Sequence, residues 1–313
     1  MRFMTSMRRS GRRCRWPGLG LALVLVSGLA LSLAGPAQGA DGVCVTDDAD
    51  REVCLEAPAS RIVALSPGVT ELLFAAGAGE AVVGAVGFSD YPAEAAGLPR
   101  VGSYDRLDLE ALLALEPDLV VAWAGGNPGD QLDRLAALGL PVYFSDVGDF
   151  AGIAESLERF GTLAGTPDVA ASAASSLREE VAALRERYAA AAPVPVFYQV
   201  WEQPLMTLNG RHWISRSLEL CGGVNLFAEA SALVPRIGVE AVLARDPEAI
   251  ITGGMGEPDS TWLEAWRAYP RLTAVRRDNL FLIDPDLVQR AAPRLVEGTR
   301  RLCQYLEVAR GRR

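Results

Sequence analysis

Residues 109–118 read Leu-Glu-Ala-Leu-Leu-Ala-Leu-Glu-Pro-Asp, and residues 239–248 read Val-Glu-Ala-Val-Leu-Ala-Arg-Asp-Pro-Glu. The two align without a gap at an offset of 130 residues. Each runs on into an apolar stretch, Leu119-Val120-Val121-Ala122 and Ala249-Ile250-Ile251-Thr252, and then into a glycine-rich loop. A short helix stopped by proline and feeding a buried strand is thus used twice. The spacing is far too long for a solenoid repeat, so the chain is expected to fold into two similar lobes. Two lobes leave a cleft between them, and clefts between domains are favoured ligand sites.

The surrounding pattern predicts the same architecture. Arg61 to Leu65 reads as a strand, Ser66-Pro67 caps and starts a helix, and Ala81 to Val86 is a second strand. Asp108 is an N-cap for the repeated helix, a helix runs from Gly129 to Leu138, and Val142 to Ser145 is a strand. From Phe150 to Ala192 there is no strand candidate. Thr166-Pro167-Asp168 opens a helix that reaches about Ala190. Strands and helices then alternate again: Val194 to Val200, Ile214 to Leu220, Val239 to Ala244, Ala249 to Thr252, Trp262 to Tyr269, Leu280 to Ile283, and a closing helix from Pro293 to Arg310. The expected fold class is α/β: two similar lobes with mostly parallel sheets, joined by a single long helix, with the ligand cleft between them. The expected boundaries are a signal peptide over 1–40, an N-terminal lobe with a leading hairpin over 41–148, a helical connector over 149–192 and a C-terminal lobe over 193–313.

The leader follows from charge and hydrophobicity. Arg2, Arg8, Arg9, Arg12, Arg13 and Arg15 precede an apolar run from Leu19 to Leu33, and small residues around Gly39 and Ala40 offer a cleavage site. The run is short for a membrane span. Cys14 lies ahead of it, where a lipid-anchor cysteine would follow it. A free, soluble, periplasmic protein is expected, cut near residue 39 or 40. Loss of those six arginines takes the formal charge from −9 to −15. Such an acidic chain is a poor partner for nucleic acid. It contains no lysine, which excludes Schiff-base chemistry and a P-loop lysine.

Four cysteines remain beyond the leader: Cys44, Cys54, Cys221 and Cys303. An even number in an exported chain points to disulfides. Val43-Cys44-Val45 and Val53-Cys54-Leu55 flank a polar turn and read as a hairpin. That favours Cys44–Cys54 and leaves Cys221–Cys303 by elimination. Without a C-x-x-C pair, zinc is not expected, and no metal site is assigned.

Catalytic chemistry is sparse. His212 is the one histidine and no G-x-S-x-G elbow accompanies it; it reads as a surface or cleft-edge residue. Gly125-Gly126-Asn127-Pro128-Gly129 and Gly253-Gly254-Met255-Gly256 match neither a dinucleotide fingerprint nor a P-loop, but both follow strands, where α/β folds place ligands. Phe88, Tyr91, Tyr104, Trp123, Trp201 and Trp213 gather at such strand ends. As a cleft lining they suit a broad, flat, partly apolar ligand.

These segments resemble the periplasmic vitamin B12-binding proteins, part of a larger group that also serves siderophores and haem to ABC importers. The resemblance rests on Arg61-Ile62-Val63-Ala64-Leu65-Ser66-Pro67 with Thr70-Glu71-Leu72, on Phe88-Ser89-Asp90-Tyr91-Pro92, and on Asp108-Leu109-Glu110 through Pro117-Asp118-Leu119. It continues through Trp123 with Gly125-Gly126-Asn127, Leu220-Cys221-Gly222-Gly223 with Asn225, Arg290-Ala291 with Pro293-Arg294, and Leu302-Cys303.

The resemblance implies a corrinoid, most simply vitamin B12, held against Phe88, Tyr104, Trp123 and the segment Asp286, Leu287, Val288, Gln289 and Arg290, to which the aromatic pattern adds Trp201. It implies that Glu110 and Glu240, already equivalent by the repeat, dock onto an ABC importer permease dimer. It implies the Cys221–Cys303 bridge as well. No catalysis and no resident cofactor are expected, because the cobalt arrives already coordinated. The free protein is expected to be a monomer. The chain departs from the pattern at Val234 and Leu287, where well-known members carry tryptophan. A siderophore or haem carrier of the same fold is the alternative, with His212, Arg211 and Tyr104 as its contacts.

Overall fold

The computed structural model describes residues 42–254 and 260–313. The expected leader, and Met255 and Gly256 of the second glycine loop, lie outside the described residues. Strands β1 (Val43–Thr46) and β2 (Glu52–Leu55) pair antiparallel with Cys44 opposite Cys54, and a disulfide joins the two. The turn is held by Asp47, whose Oδ1 accepts from the amides of Ala49 and Arg51, both at 2.9 Å.

In chain order the first lobe then contains β3 (Ile62–Ala64), α1 (Pro67–Ala75), β4 (Val82–Ala85), β5 (Gly102–Ser103), β6 (Arg106–Leu107), α2 (Leu109–Ala114), β7 (Leu119–Trp123), α3 (Gly129–Ala137), β8 (Val142–Ser145) and α4 (Phe150–Ala164). Ser66 caps α1 by accepting from the Val69 amide, and Asp108 caps α2 by accepting from the Ala111 amide. Each cap satisfies an amide that would otherwise lack a partner at a helix start. A long helix follows, α5 (Pro167–Tyr188). The second lobe contains β9 (Val194–Gln199), α6 (Trp213–Leu220), β10 (Gly223–Asn225), α7 (Val239–Arg245), β11 (Ala249–Thr252), α8 (Thr261–Trp266), α9 (Thr273–Arg276), β12 (Leu280–Leu282) and α10 (Leu295–Gly311).

The two main sheets have the same topology. The first has the order β4-β3-β7-β8 and the second β10-β9-β11-β12, and every neighbouring pair is parallel. Counted within its lobe, each sheet reads second, first, third, fourth. The repeated segments supply the third strand of each, β7 and β11, and the helix before it, α2 and α7. The repeat is therefore structural. It extends to backbone conformation, because Glu116 and Asp246 both adopt a left-handed φ, 46° and 43°, just before a proline.

The region 149–192 contains two helices rather than one connector. Helix α4 packs on α1 and β1 and is part of the first lobe. Helix α5 alone spans the lobes, rising about 33 Å at 1.5 Å per residue. Its buried positions are Ala170, Ala174, Leu177, Val181, Leu184 and Tyr188, a three-and-four spacing that makes one apolar stripe. That stripe belongs to a single core cluster running from Leu72 and Phe160 of the first lobe to Val194 and Leu306 of the second. Cys221, which caps the C-terminus of α6, is bonded to Cys303 in α10. Among the described residues no helix is long and apolar enough to cross a membrane.

Strand β10 was not expected from the sequence. It begins directly after Gly222, which turns the chain at φ 73°, and pairs with β9 in register Gly223 to Val194. The four-residue α9 and the two-residue strands β5 and β6 were likewise unforeseen.

Candidate functional site

The carboxyl ends of the two sheets face each other. Glu71 of α1, which follows β3, accepts from Arg290 and Arg294, which follow β12 in the other lobe, at 2.9 Å and 2.6 Å. Asp90, in the loop after β4, accepts from Arg290 at 3.1 Å. In each sheet the order reverses between the first and third strands, so the crevices at β3/β7 and β9/β11 open at this shared boundary. Parallel α/β sheets bind ligands at such points.

Aromatic side chains stand at this boundary. Phe88 follows β4, is 73% exposed and has a left-handed backbone, φ 63°. Tyr104 sits in the turn between β5 and β6 and is 40% exposed. Trp123 ends β7, and its ring centre lies 5.8 Å from that of Tyr104, tilted by 55°. Trp201 follows β9, is 37% exposed, and meets Trp262 edge-on at 5.9 Å. Exposed aromatic rings at the ends of buried strands cost solvation unless something flat and apolar covers them.

Asn127 builds the first-lobe half of this surface. Its Oδ1 accepts from the Trp123 amide at 2.7 Å. Its Nδ2 donates to the carbonyls of Leu65 at 2.9 Å and Tyr104 at 2.7 Å. One buried side chain thus ties the end of β3, the Tyr104 turn and the end of β7 together. Gly126 completes the arrangement, because a Cβ there would fall 2.1 Å from the Trp123 ring. The ring lies back over the loop only because that position is glycine. The sequence marked Gly126 and Asn127 as part of a loop after a strand; the pedestal role of Asn127 was not assigned.

The segment after β12 is divided. Asp286 pairs with Arg290 at 3.1 Å. Gln289 donates from Nε2 to the Gly254 carbonyl at 2.7 Å and is half-buried. Leu287 is half-buried against the core, as is Val234. Val288 corrects the expectation for its position. Its side chain is fully buried in the core, and its carbonyl accepts from Trp213 Nε1 at 2.8 Å, so it offers no side-chain surface to a ligand. Arg290 is engaged with Glu71, Asp90 and Asp286. Tyr91 lies beneath the Arg294 guanidinium, 3.8 Å from ring centre to carbon.

His212 also differs from expectation. It is buried rather than at the surface, and caps α6 with Nδ1 accepting from the Ile214 amide at 3.2 Å. Burial lowers its pKa to about 3, so it stays neutral. With that nitrogen engaged and the ring covered, it is a structural cap rather than a cleft contact. Arg211 is turned to the Ser231 carbonyl at 2.8 Å.

Glu110 and Glu240 occupy the same place in the two lobes, the second residue of α2 and of α7. A carboxylate there meets the positive end of the helix dipole. This alone explains an acid at each position, whatever else the pair does.

A family model described as periplasmic binding protein matches residues 62–287. The vitamin B12-binding protein of Vibrio cholerae serotype O1 is 36% identical over 252 residues, covering 80% of this chain and 91% of that one. The crystal structure of the periplasmic vitamin B12 binding protein BtuF of Vibrio cholerae superposes with a TM-score of 0.75, covering 81% of this chain and 98% of that one. The periplasmic haem-binding protein RhuT from Roseiflexus sp. RS-1 superposes at 0.71 with 22% identity, covering 80% and 99%, and shares the fold.

Proposed function

The chain belongs to the periplasmic binding protein family, and we propose that it captures a corrinoid, vitamin B12 in the first place, between its lobes and delivers it to an ABC importer. It is a carrier, not an enzyme. The observation that carries the choice of ligand is the set of rings at the carboxyl ends of two facing sheets, Phe88, Tyr104 and Trp201 exposed and Trp123 half-buried beside Tyr104. A corrin is broad, flat and apolar over much of its faces, and such rings would cover it by stacking and apolar burial, with a few polar groups fixing its orientation. No protein ligand to cobalt is needed, since the metal arrives coordinated.

The spine formed by α5 supports a carrier that opens little, since the core is continuous through it. The carrier works as a periplasmic monomer, released near residue 39 or 40, and two disulfides suit an oxidising compartment. Glu110 and Glu240 dock onto the two subunits of the permease, one lobe to each. Their equivalent places in two equivalent lobes support that reading.

Calorimetric titration of the oxidised protein with cyanocobalamin and with cobinamide is the test. One-to-one binding at micromolar Kd or tighter, about −8 kcal/mol or better, is the expected result. No heat with either ligand at two temperatures, together with an absorbance shift on adding haem, would move the assignment to haem.

A further inference from the structure

The loop that presents Phe88 is pinned at three consecutive residues. Ser89 is buried and shares a hydrogen bond with Thr70 Oγ1 of α1 at 3.1 Å. Asp90 accepts from Arg290, and Tyr91 lies under Arg294. Both arginines belong to the other lobe. What holds them is Glu71, the neighbour of Thr70 on α1. Its Oε1 accepts from Arg290 Nη1 at 2.9 Å and from Arg294 Nη2 at 2.6 Å, and its Oε2 accepts from Arg294 Nε at 2.9 Å. The Glu71 side chain is only 2% exposed, so no ligand in the cleft can reach it.

From this geometry we propose that Glu71 is a positioning residue for ligand capture. It orients Arg290 and Arg294 so that they clamp the 88–91 loop and hold the Phe88 ring at the cleft. The inference rests on the corrinoid reading for its ligand, but the clamp itself is independent of which ligand enters.

Chemistry explains the residue types. An arginine presents a planar fork, so Arg294 can engage both oxygens of Glu71 while its face lies on Tyr91. Arg290 has donors enough to serve Glu71, Asp90 and Asp286 at once. A lysine offers neither a fork nor a stacking face. Glu71 is also the one acid in the group buried from solvent, while Asp90 and Asp286 are partly open to it. It is screened least, and it dominates the orientation of both guanidiniums. Phe88 needs such support because its left-handed backbone is disfavoured for a side chain of that size. Released from Asp90 and Tyr91, the loop would relax and its ring would lose the cleft-facing pose.

The test pairs a double-mutant cycle with hydrogen exchange. Glu71→Gln keeps the size and removes the charge. If Glu71 acts through Phe88, this change weakens cyanocobalamin binding about tenfold in the parent but less than about twofold in the Phe88→Ala background. In the ligand-free protein, the amides of Gly87 and Ala95, which border the loop and donate to the Gly102 and Pro92 carbonyls at 2.9 Å each, exchange about tenfold faster while those of β10 are unchanged. Equal losses in both backgrounds, or unchanged exchange at the loop, overturn the proposal and leave Glu71 a purely structural ion pair. If the parent binds no corrinoid, the ligand reading falls, and the exchange measurement still decides the role of Glu71. Should Glu71→Gln fail to fold, Arg294→Lys, which keeps the charge but loses the fork, must show the same faster exchange at Gly87 and Ala95 for the proposal to stand.

Discussion

Glu116 and Asp246 take the same left-handed turn in the two lobes, yet only Asp246 uses its side chain there. Asp246 accepts from the Thr273 amide and hydroxyl, both at 2.7 Å. Glu116 is exposed, with its carbonyl accepting from Arg61. Left-handed backbone costs a non-glycine residue roughly 1 kcal/mol, and glycine's extra freedom when unfolded costs nearly as much. Glu116→Gly should therefore stay within about 0.5 kcal/mol of the parent, whereas Asp246→Gly should lose about 2 kcal/mol through its missing hydrogen bonds. Urea unfolding of the two variants checks this, and equal losses would contradict it.

The two disulfides should differ in worth. Cys221 and Cys303 are separated by 82 residues, Cys44 and Cys54 by 10. The loop-entropy model assigns about 4 kcal/mol to the long loop and about 2–3 kcal/mol to the short one. Replacing the first pair by alanine should lower the unfolding midpoint in denaturant more than replacing the second. The reverse order would show that native contacts outweigh loop length here.

Acid should expose the buried histidine. The unfolded chain protonates His212 as the pH falls below about 6.5, while in the folded state its pKa is lowered to about 3 by burial. Its contribution to stability is complete above pH 6.5 and is lost progressively as the pH falls towards 3. His212→Asn, which retains an N-cap acceptor, should make stability less steep across that window by about one proton taken up on unfolding. An unchanged slope would mean that His212 already carries charge in the fold.

Gly126→Ala should disturb the aromatic surface without disturbing the core. Its Cβ would fall 2.1 Å from the Trp123 ring, which must then swing away from the loop. The expected result is an altered tryptophan fluorescence spectrum and a loss of corrinoid affinity of about tenfold, roughly 1.4 kcal/mol. Affinity equal to the parent would take Trp123 out of the binding surface.

Glu110→Arg combined with Glu240→Arg should separate capture from delivery. Both side chains are exposed at helix starts and belong neither to the aromatic set nor to the arginine clamp, so the titration with cyanocobalamin should match the parent. Uptake by its importer in proteoliposomes should fall to background. Lost ligand binding would refute the docking assignment, and uptake persisting at the parental rate would refute it equally.

The parallel sheets and the Cys44–Cys54 hairpin were legible from local pattern, the two lobes from the repeat, and Cys221–Cys303 only by elimination and resemblance. Ser66 and Asp108 cap their helices as read, and Val142–Ser145 and Ala249–Thr252 are strands with the bounds expected. Strand β10 was not legible, since its three residues are extended only because β9 lies alongside. His212 and Val288 misled for a related reason. Each sits between one polar and one apolar neighbour, Arg211 and Trp213 or Leu287 and Gln289, and such mixed flanks carry no local mark of burial. The partners of Glu71 lie 219 and 223 residues further along, and no periodicity reaches that far.

Each lobe is cut from one unbroken stretch of chain, and each disulfide closes within its own lobe. A chain emerging from its amino end can therefore finish the hairpin bridge before Cys221 appears, with neither cysteine of the second lobe yet present to compete. The first lobe can then serve, through α5, as a finished template on which the second is laid down. Duplication without interleaving leaves the order of assembly written in the order of synthesis.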